Sequence, residues 1–206
     1  MNGAGMVALL DEALARLAES RDELRDLDAA LGDGDLGVTV SRGCEAVSAQ
    51  LADLTEPSPS DVLRTAGTAF ANANPSTLAA LVGGALLTGA KTVAEATDLG
   101  PGEAVTFARA AAASIATRGK AQLGDKTILD AILPSLGALD ALDATTDGDR
   151  LEAMVTAARD AVDETTPLQS RRGRAAWIGE RGAGHPDPGA TAYLRLLEAL
   201  HASWPT

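Results

Sequence analysis

Residues 7–31 read VALLDEALARLAESRDELRDLDAAL, and this stretch decides the fold class. Val7, Leu10, Leu14, Leu17, Leu24, Leu27 and Leu31 mostly recur three or four residues apart. Asp11, Glu12, Arg16, Glu19 and Glu23 occupy the other faces, so the pattern predicts one amphipathic helix. The same period continues outward. Further helices are expected over 38–54, from Ser60 as N-cap after the Pro57-Ser58-Pro59-Ser60 cluster, over 76–97, 102–118 and 126–142, and over 147–165 and 188–203. Residues 72–75 should break the third helix, and Pro134 should kink the sixth. No segment reads as a strand. Eight helices with mostly short connections predict an all-α, up-and-down antiparallel bundle spanning 1–206 as one domain. Abundant alanine and only 2% aromatic residues imply closely packed helices with thin side chains. Alternate connections of such a bundle meet at one rim, where function should sit.

Charge narrows the partners. With 29 acidic and 17 basic residues, the net charge of -12 argues against nucleic acid or an anionic membrane surface. A phosphate ligand would need a metal bridge. The single cysteine, Cys44, forms no internal disulfide and suits a reducing, cytoplasmic compartment as a core residue. Met1 to Ala15 lacks the basic start of a secretory signal. The most apolar run, residues 78–90, is too short to span a membrane.

The helix at 7–31 runs into Gly32-Asp33-Gly34-Asp35-Leu36-Gly37. Together with Asp28, this places three carboxylates within eight residues. Carboxylates held together repel one another, and a hard divalent ion such as Mg2+ relieves the repulsion while leaving positions open for phosphate oxygens. Gly32 and Gly34 can adopt positive φ and let Asp28, Asp33 and Asp35 converge. A solvated Asp-Gly turn that caps the next helix fits the same residues. Three other loops carry chemistry: 72–77, 118–127 (RGKAQLGDKT) and 171–189.

The runs LDAALGDGDLG (27–37), RGKAQLGDKT (118–127) and GRAAWIGERGAGHPDPGA (173–190) resemble the nucleotide-binding L subunit of dihydroxyacetone kinase, nearly end to end and in the same order. The resemblance selects the metal reading. It implies a closed eight-helix barrel whose rim holds ADP or ATP through two Mg2+ ions clamped by Asp28, Asp33 and Asp35. Backbone at Leu36, Gly37, Val38 and Thr39 would cradle phosphate, as helix N-termini do. Thr39 could equally be an N-cap. Arg174 corresponds to the family's phosphate-contacting arginine, with a guanidinium suited to phosphate oxygens and to charge that develops during transfer. Asp187, Pro188 and Gly189 correspond to nucleotide contacts, and Gly119 and Ile128 to the adenine pocket. Lys126 is expected in a structural ion pair, since the Gly-x-x-x-x-Gly-Lys-Ser/Thr loop is absent. Arg181 is expected in an ion pair, His185 in a structural hydrogen bond, and Trp177 and Trp204 as packing anchors.

Two departures stand out. Leu36 occupies a position that is usually histidine in the family. The glycine-rich lid over the nucleotide reads Ala73-Asn74-Pro75-Ser76-Thr77, in which Ser76 keeps the serine and Pro75 restricts the backbone. The reaction implied is phosphoryl transfer to a hydroxyketone held on a separate K-type subunit. ADP would be retained and recharged by a phosphocarrier of the sugar phosphotransferase system, or ATP would exchange freely. A homodimer is compatible with the sequence. The alternatives are a non-catalytic interaction protein, favoured by Leu36 and Pro75, and a kinase subunit for another acceptor such as erythrulose. The intact aspartates favour the kinases.

Overall fold

The structure, a computed structural model, describes residues 1–140 and 146–205, without the side chains of Asp140, Arg174, Ile178 and Arg181. Among these residues the helices are α1 (Gly3–Ala18), α2 (Arg21–Leu31), α3 (Leu36–Ala52), α4 (Pro59–Ala73), α5 (Thr77–Ala90), α6 (Pro101–Gly119), α7 (Leu129–Asp140), α8 (Asp147–Thr165) and α9 (Pro188–Ser203). Short 3-10 segments occupy Lys91–Val93 and Arg174–Gly182. No strand forms among the described residues; a lone bridge pairs Asn2 with Asp98. None of the described helices is long and apolar enough to cross a membrane.

The packing order closes a ring. From α3 to α9 each helix packs on the next in the chain, and α1 packs on both α9 and α3. Connections therefore alternate between two ends. Residues 32–35, 74–76, 120–128 and 166–187 gather at one rim, where α3, α5, α7 and α9 all begin. At the other end Leu99 N–H donates to the Met1 carbonyl at 2.8 Å. The largest buried cluster joins Leu14, Leu17, Leu24, Val40, Val47, Leu51, Val62 and Phe70. A second lies around Val155, Val162 and Leu194, and a third around Ile115, Leu129 and Leu136.

The helix expected over 7–31 is two helices, parted at Glu19 and Ser20. Residues 19–23 are all polar, so no side chain anchors the junction in the core, and Ser20 followed by Asp22 and Glu23 is itself a helix-start pattern. The N-cap of α4 is Ser58, not Ser60. Ser58 and Asp61 form a reciprocal capping box around Pro59 at the first helical position. Ser60 is instead buried and donates to the Ala90 carbonyl at 3.0 Å. The fourth expected helix leaves α geometry at Ala90. The sixth starts at Leu129 rather than at 126, because Lys126 takes a left-handed φ of 58°. It continues through Pro134, and its expected end at Leu142 lies outside the described residues.

Thin contacts bring the helices together. A Cβ on Gly83 would lie 2.6 Å from the Gly67 carbonyl, so α4 and α5 touch backbone to backbone. Gly37 packs against the backbone of α2, and a Cβ there would collide with the Arg21 carbonyl and lie 2.9 Å from the Arg25 nitrogen. Gly37→Ala therefore forces α2 off α3. It should cost about 1–3 kcal/mol of stability, read as a lower urea midpoint with an unchanged slope; an unaltered midpoint would show that the seam gives way freely.

Asp187 caps α9. Its side chain accepts from Ala190 N–H at 2.8 Å, and its carbonyl accepts from Thr191. Burial pushes its carboxyl from an ordinary 3.8 up to about 6, reinforced by Asp130 and opposed by the Ala190 bond and Lys126. Since folding favours the protonated form, this contribution to stability is fully present below the unfolded value and is lost as pH rises through about 6. Asp187→Asn keeps the cap and removes the charge. Compared with the natural chain by urea unfolding, it should be more stable by about 1–3 kcal/mol at pH 8 and nearly equal at pH 4; a less stable variant at pH 8 contradicts this account.

Candidate functional site

Asp28 sits in the last turn of α2, and its carboxylate accepts from the Leu36 N–H at 3.2 Å. One carboxylate thus meets the start of α3 and satisfies one of its orphan donors. The turn between the helices uses a positive φ at Gly34, 73°, whereas Gly32 is extended at φ -160°. Only one of the two glycines therefore needs the left-handed freedom expected of both. The result is convergence: one carboxylate oxygen from each of Asp28, Asp33 and Asp35 lies within 4.8 Å of the others. Burial first, and the Asp28 charge second, raise the Asp35 carboxyl above its usual range. Three acid groups at this spacing, one already resisting ionisation, fit a hard divalent cation.

These carboxylates lie on one side of a cleft of about 710 Å3 to which all four rim loops contribute. Leu36, Ser76, Gly119, Ile128, Asp187, Pro188 and Gly189 line it, as the sequence suggests. Gly37, Val38, Thr39 and Pro75 do not. Gly37 faces α2, as described above. Thr39 is 1% exposed, and its hydroxyl accepts from Asn74 Nδ2 at 2.8 Å, so it joins the start of α3 to the loop before α5 instead of presenting an open hydroxyl. It is not the N-cap either; Asp35 is. Pro75 is exposed beside that bond. The Arg174 side chain lies outside the described residues, as does that of Arg181. His185 is exposed in the α8–α9 loop.

The opposite wall is apolar. Leu78 and Leu81 of α5, Ile115 of α6 and Ile128 flank Gly119. Leu81 and Ile115 carry no motif, and their place on the cleft follows only from helix packing. Trp177 is 86% exposed on the rim of this cleft, so it is not the packing anchor that the scarcity of aromatic residues suggests. Trp204 is partly buried at the far end of the barrel, where it lines a second, apolar cavity of about 270 Å3. Cys44 is a core thiol that burial pushes up to about 12.

The 120–128 loop is built by two aspartates. Asp130 accepts from Gly124 N–H at 2.5 Å and Thr127 N–H at 2.7 Å, and Thr127 Oγ1 accepts from Leu129 N–H, which opens α7. The Thr127-x-x-Asp130 spacing is a readable helix-start signal. Asp125 accepts from Gln122 N–H and from Arg172 Nε at 3.1 Å. Lys126 is not in the ion pair expected of it. Its ammonium donates to the carbonyls of Thr166, Leu168 and Gly182, at 2.9, 2.8 and 3.0 Å.

Comparison with known proteins agrees with this construction. Residues 30–202 match the DAK2 domain. A Listeria innocua protein named "PEP-dependent dihydroxyacetone kinase 2, ADP-binding subunit DhaL" is 32% identical over 97% of this chain and 94% of its own length. The Escherichia coli "PEP-dependent dihydroxyacetone kinase, ADP-binding subunit DhaL" is 29% identical, over 86% and 85%. The "L-erythrulose 1-kinase" of Mycolicibacterium smegmatis is 34% identical over 95% of this chain but only 34% of that protein. In structure, the dihydroxyacetone kinase of C. freundii solved with AMP-PNP and Mg2+ superposes with a TM-score of 0.76 at 21% identity, covering 97% of this chain and 34% of that one. That likeness supports the helical fold. With the DAK2 match running over most of its length, and a full-length relative at 32% identity, the chain belongs to the DAK2-domain family that includes the nucleotide-binding L subunits of dihydroxyacetone kinases.

Proposed function

We propose that this chain, as one domain, is the ADP/ATP- and Mg2+-binding subunit of a dihydroxyacetone kinase or a kinase for a closely related ketose. The observation that carries the proposal is the convergence of Asp28, Asp33 and Asp35 at the mouth of a cleft onto which four helix N-termini open. Asp28, Asp33 and Asp35 would hold Mg2+ there, two ions by family resemblance, and the metal would supply positive charge against the phosphates.

The chain's own groups then divide the work. In the first turn of α3, Leu36 N–H is committed to Asp28, and the first intrahelical bond runs from Thr39 N–H to the Asp35 carbonyl. Gly37 and Val38 N–H, between them, lack a partner within the helix and are assigned to phosphate by family resemblance, although neither residue lines the cleft. Ser76 starts α5 without a side-chain cap bond, and no acidic residue stands in the first turn of that helix, so its positive end also faces the cleft. Ser76 borders the cleft on this side, where family resemblance puts a cover that would include Pro75, and Asn74 fixes this loop to Thr39. The apolar wall of Leu81, Ile115, Gly119 and Ile128 suits a base, and Asp187, Pro188 and Gly189 border it. Arg174 is assigned to the transferring phosphoryl group by family resemblance.

The acceptor hydroxyl would be presented by a separate K-type subunit in the cytoplasm. Relatives of this chain's own length are named PEP-dependent, which favours retained ADP recharged by a phosphotransferase-system phosphocarrier. The erythrulose kinases among the relatives favour a second reading, in which the barrel is the same and only the acceptor differs.

Calorimetric titration tests the nucleotide site directly. ADP and ATP should bind only with Mg2+ present, and Asp33→Ala should weaken binding by at least about tenfold, or 1.4 kcal/mol, with its melting temperature retained. If neither nucleotide binds the purified chain at about 1 mM with Mg2+, the proposal fails. Turnover of dihydroxyacetone against erythrulose, assayed with a K-type subunit added, separates the two acceptors.

A further inference from the structure

Among the described residues, Lys126 is the largest side chain with under 2% of its surface exposed. Its ammonium has three protons and three acceptors: Thr166 O, Leu168 O and Gly182 O. A lysine whose donors are all taken has none left for a phosphate oxygen. The three carbonyls share one feature. They are the two feet of the 166–187 loop, which crosses the rim between α8 and α9 as a strap; Thr166 and Leu168 begin it and Gly182 closes its 3-10 segment. Between the feet lie Gly173, Ala175 and Trp177, which form one wall of the cleft.

The neighbouring residue secures the middle of the same strap. The Asp125 carbonyl accepts from Arg171 N–H at 2.9 Å, and its buried carboxylate bridges to Arg172. Thr166 O also takes Gly184 N–H, so the feet are bonded to each other as well as to Lys126. The Lys126 backbone is left-handed, with φ 58°, two residues after Gly124 at 88°. Burying an ammonium is unfavourable unless its donors are satisfied, and desolvation lowers the Lys126 pKa accordingly. Asp187, which faces it from α9, partly compensates.

We propose that Lys126 is a positioning residue for the cleft: its ammonium pins both feet of the 166–187 strap to the α6–α7 loop, and so sets the wall that closes on the bound ligand. The proposal rests on the nucleotide reading for the identity of that ligand. It places Lys126 outside direct contact with the nucleotide, unlike a phosphate lysine.

Limited trypsinolysis tests the pin without any ligand, because Arg171 and Arg172 are exposed within the strap. In Lys126→Met the barrel should keep its helical circular dichroism while cleavage after Arg171 or Arg172 accelerates about tenfold or more, tracking strap opening. Mg-ADP affinity measured by calorimetry should fall at least fivefold in the same variant. Lys126→Arg, which retains a charged donor, should recover most of the protection. Weaker Mg-ADP binding with unchanged cleavage would mean that Lys126 touches the ligand directly and would overturn the proposal, as would a variant unchanged in both readouts. If Lys126→Met does not fold, Lys126→Gln makes the same comparison with a shorter, neutral side chain that has two donor protons, and unchanged cleavage there rejects the pin. Failure of the natural chain to bind Mg-ADP sinks the nucleotide reading, while the cleavage rates still judge the pin.

Discussion

Four helices begin at the same rim, and everything at the site follows from how their N-termini are met. Each helix start presents N–H groups without intrahelical partners and the positive end of a macrodipole. Three of the four are met by side chains: α3 by the Asp28 carboxylate, α9 by the Asp187 carboxylate, and α7 by the Thr127 hydroxyl, with Asp130 taking the Thr127 N–H just ahead of it. The fourth, α5, starts at Ser76 with no side-chain bond. In a chain of net charge -12, the function proposed above requires phosphate to enter this cleft in company with a cation, and Asp28, Asp33 and Asp35 converge there.

The rim depends in turn on how closely the helices approach. Gly37 lets α3 lie on the backbone of α2, which brings Asp28 within reach of the Leu36 N–H. The aspartates are therefore placed by a packing contact as much as by the turn that connects them. On the other side of the cleft the placement is polar and buried. Asp125 and Asp130 shape one loop, and Asp125 and Lys126 bond it to the 166–187 segment. Asn74 and Thr39 play the corresponding part for the loop before α5, which a side-chain bond ties to the start of α3.

Much of this was legible in the chain. The three- and four-residue spacing of leucines showed helices, the loops chemistry-bearing rims, and the order of three motifs the family. The break at Ser20 was also legible, in the polar run 19–23 and the Ser-x-Asp-Glu pattern, as was the Thr127-x-x-Asp130 helix start. Lys126 and Trp177 were not. Whether a lysine meets a carboxylate or three carbonyls depends on segments 40 to 56 residues away in the chain. Whether a tryptophan is buried depends on what crosses over it, which composition does not encode.

By itself the sequence determined the helical class, the aspartate cluster and the family, because periodicity, local turn chemistry and motif order are properties of neighbouring residues. Only the tertiary structure decided which predicted contacts reach the cleft. Leu36, Ser76, Ile128 and Gly189 line it, while Gly37 and Thr39 are spent on holding α3 to α2 and to the loop before α5. The physical reason is that a helix start offers its groups over a full turn, and the packing of the adjacent helices alone settles which of them face the cleft and which face protein.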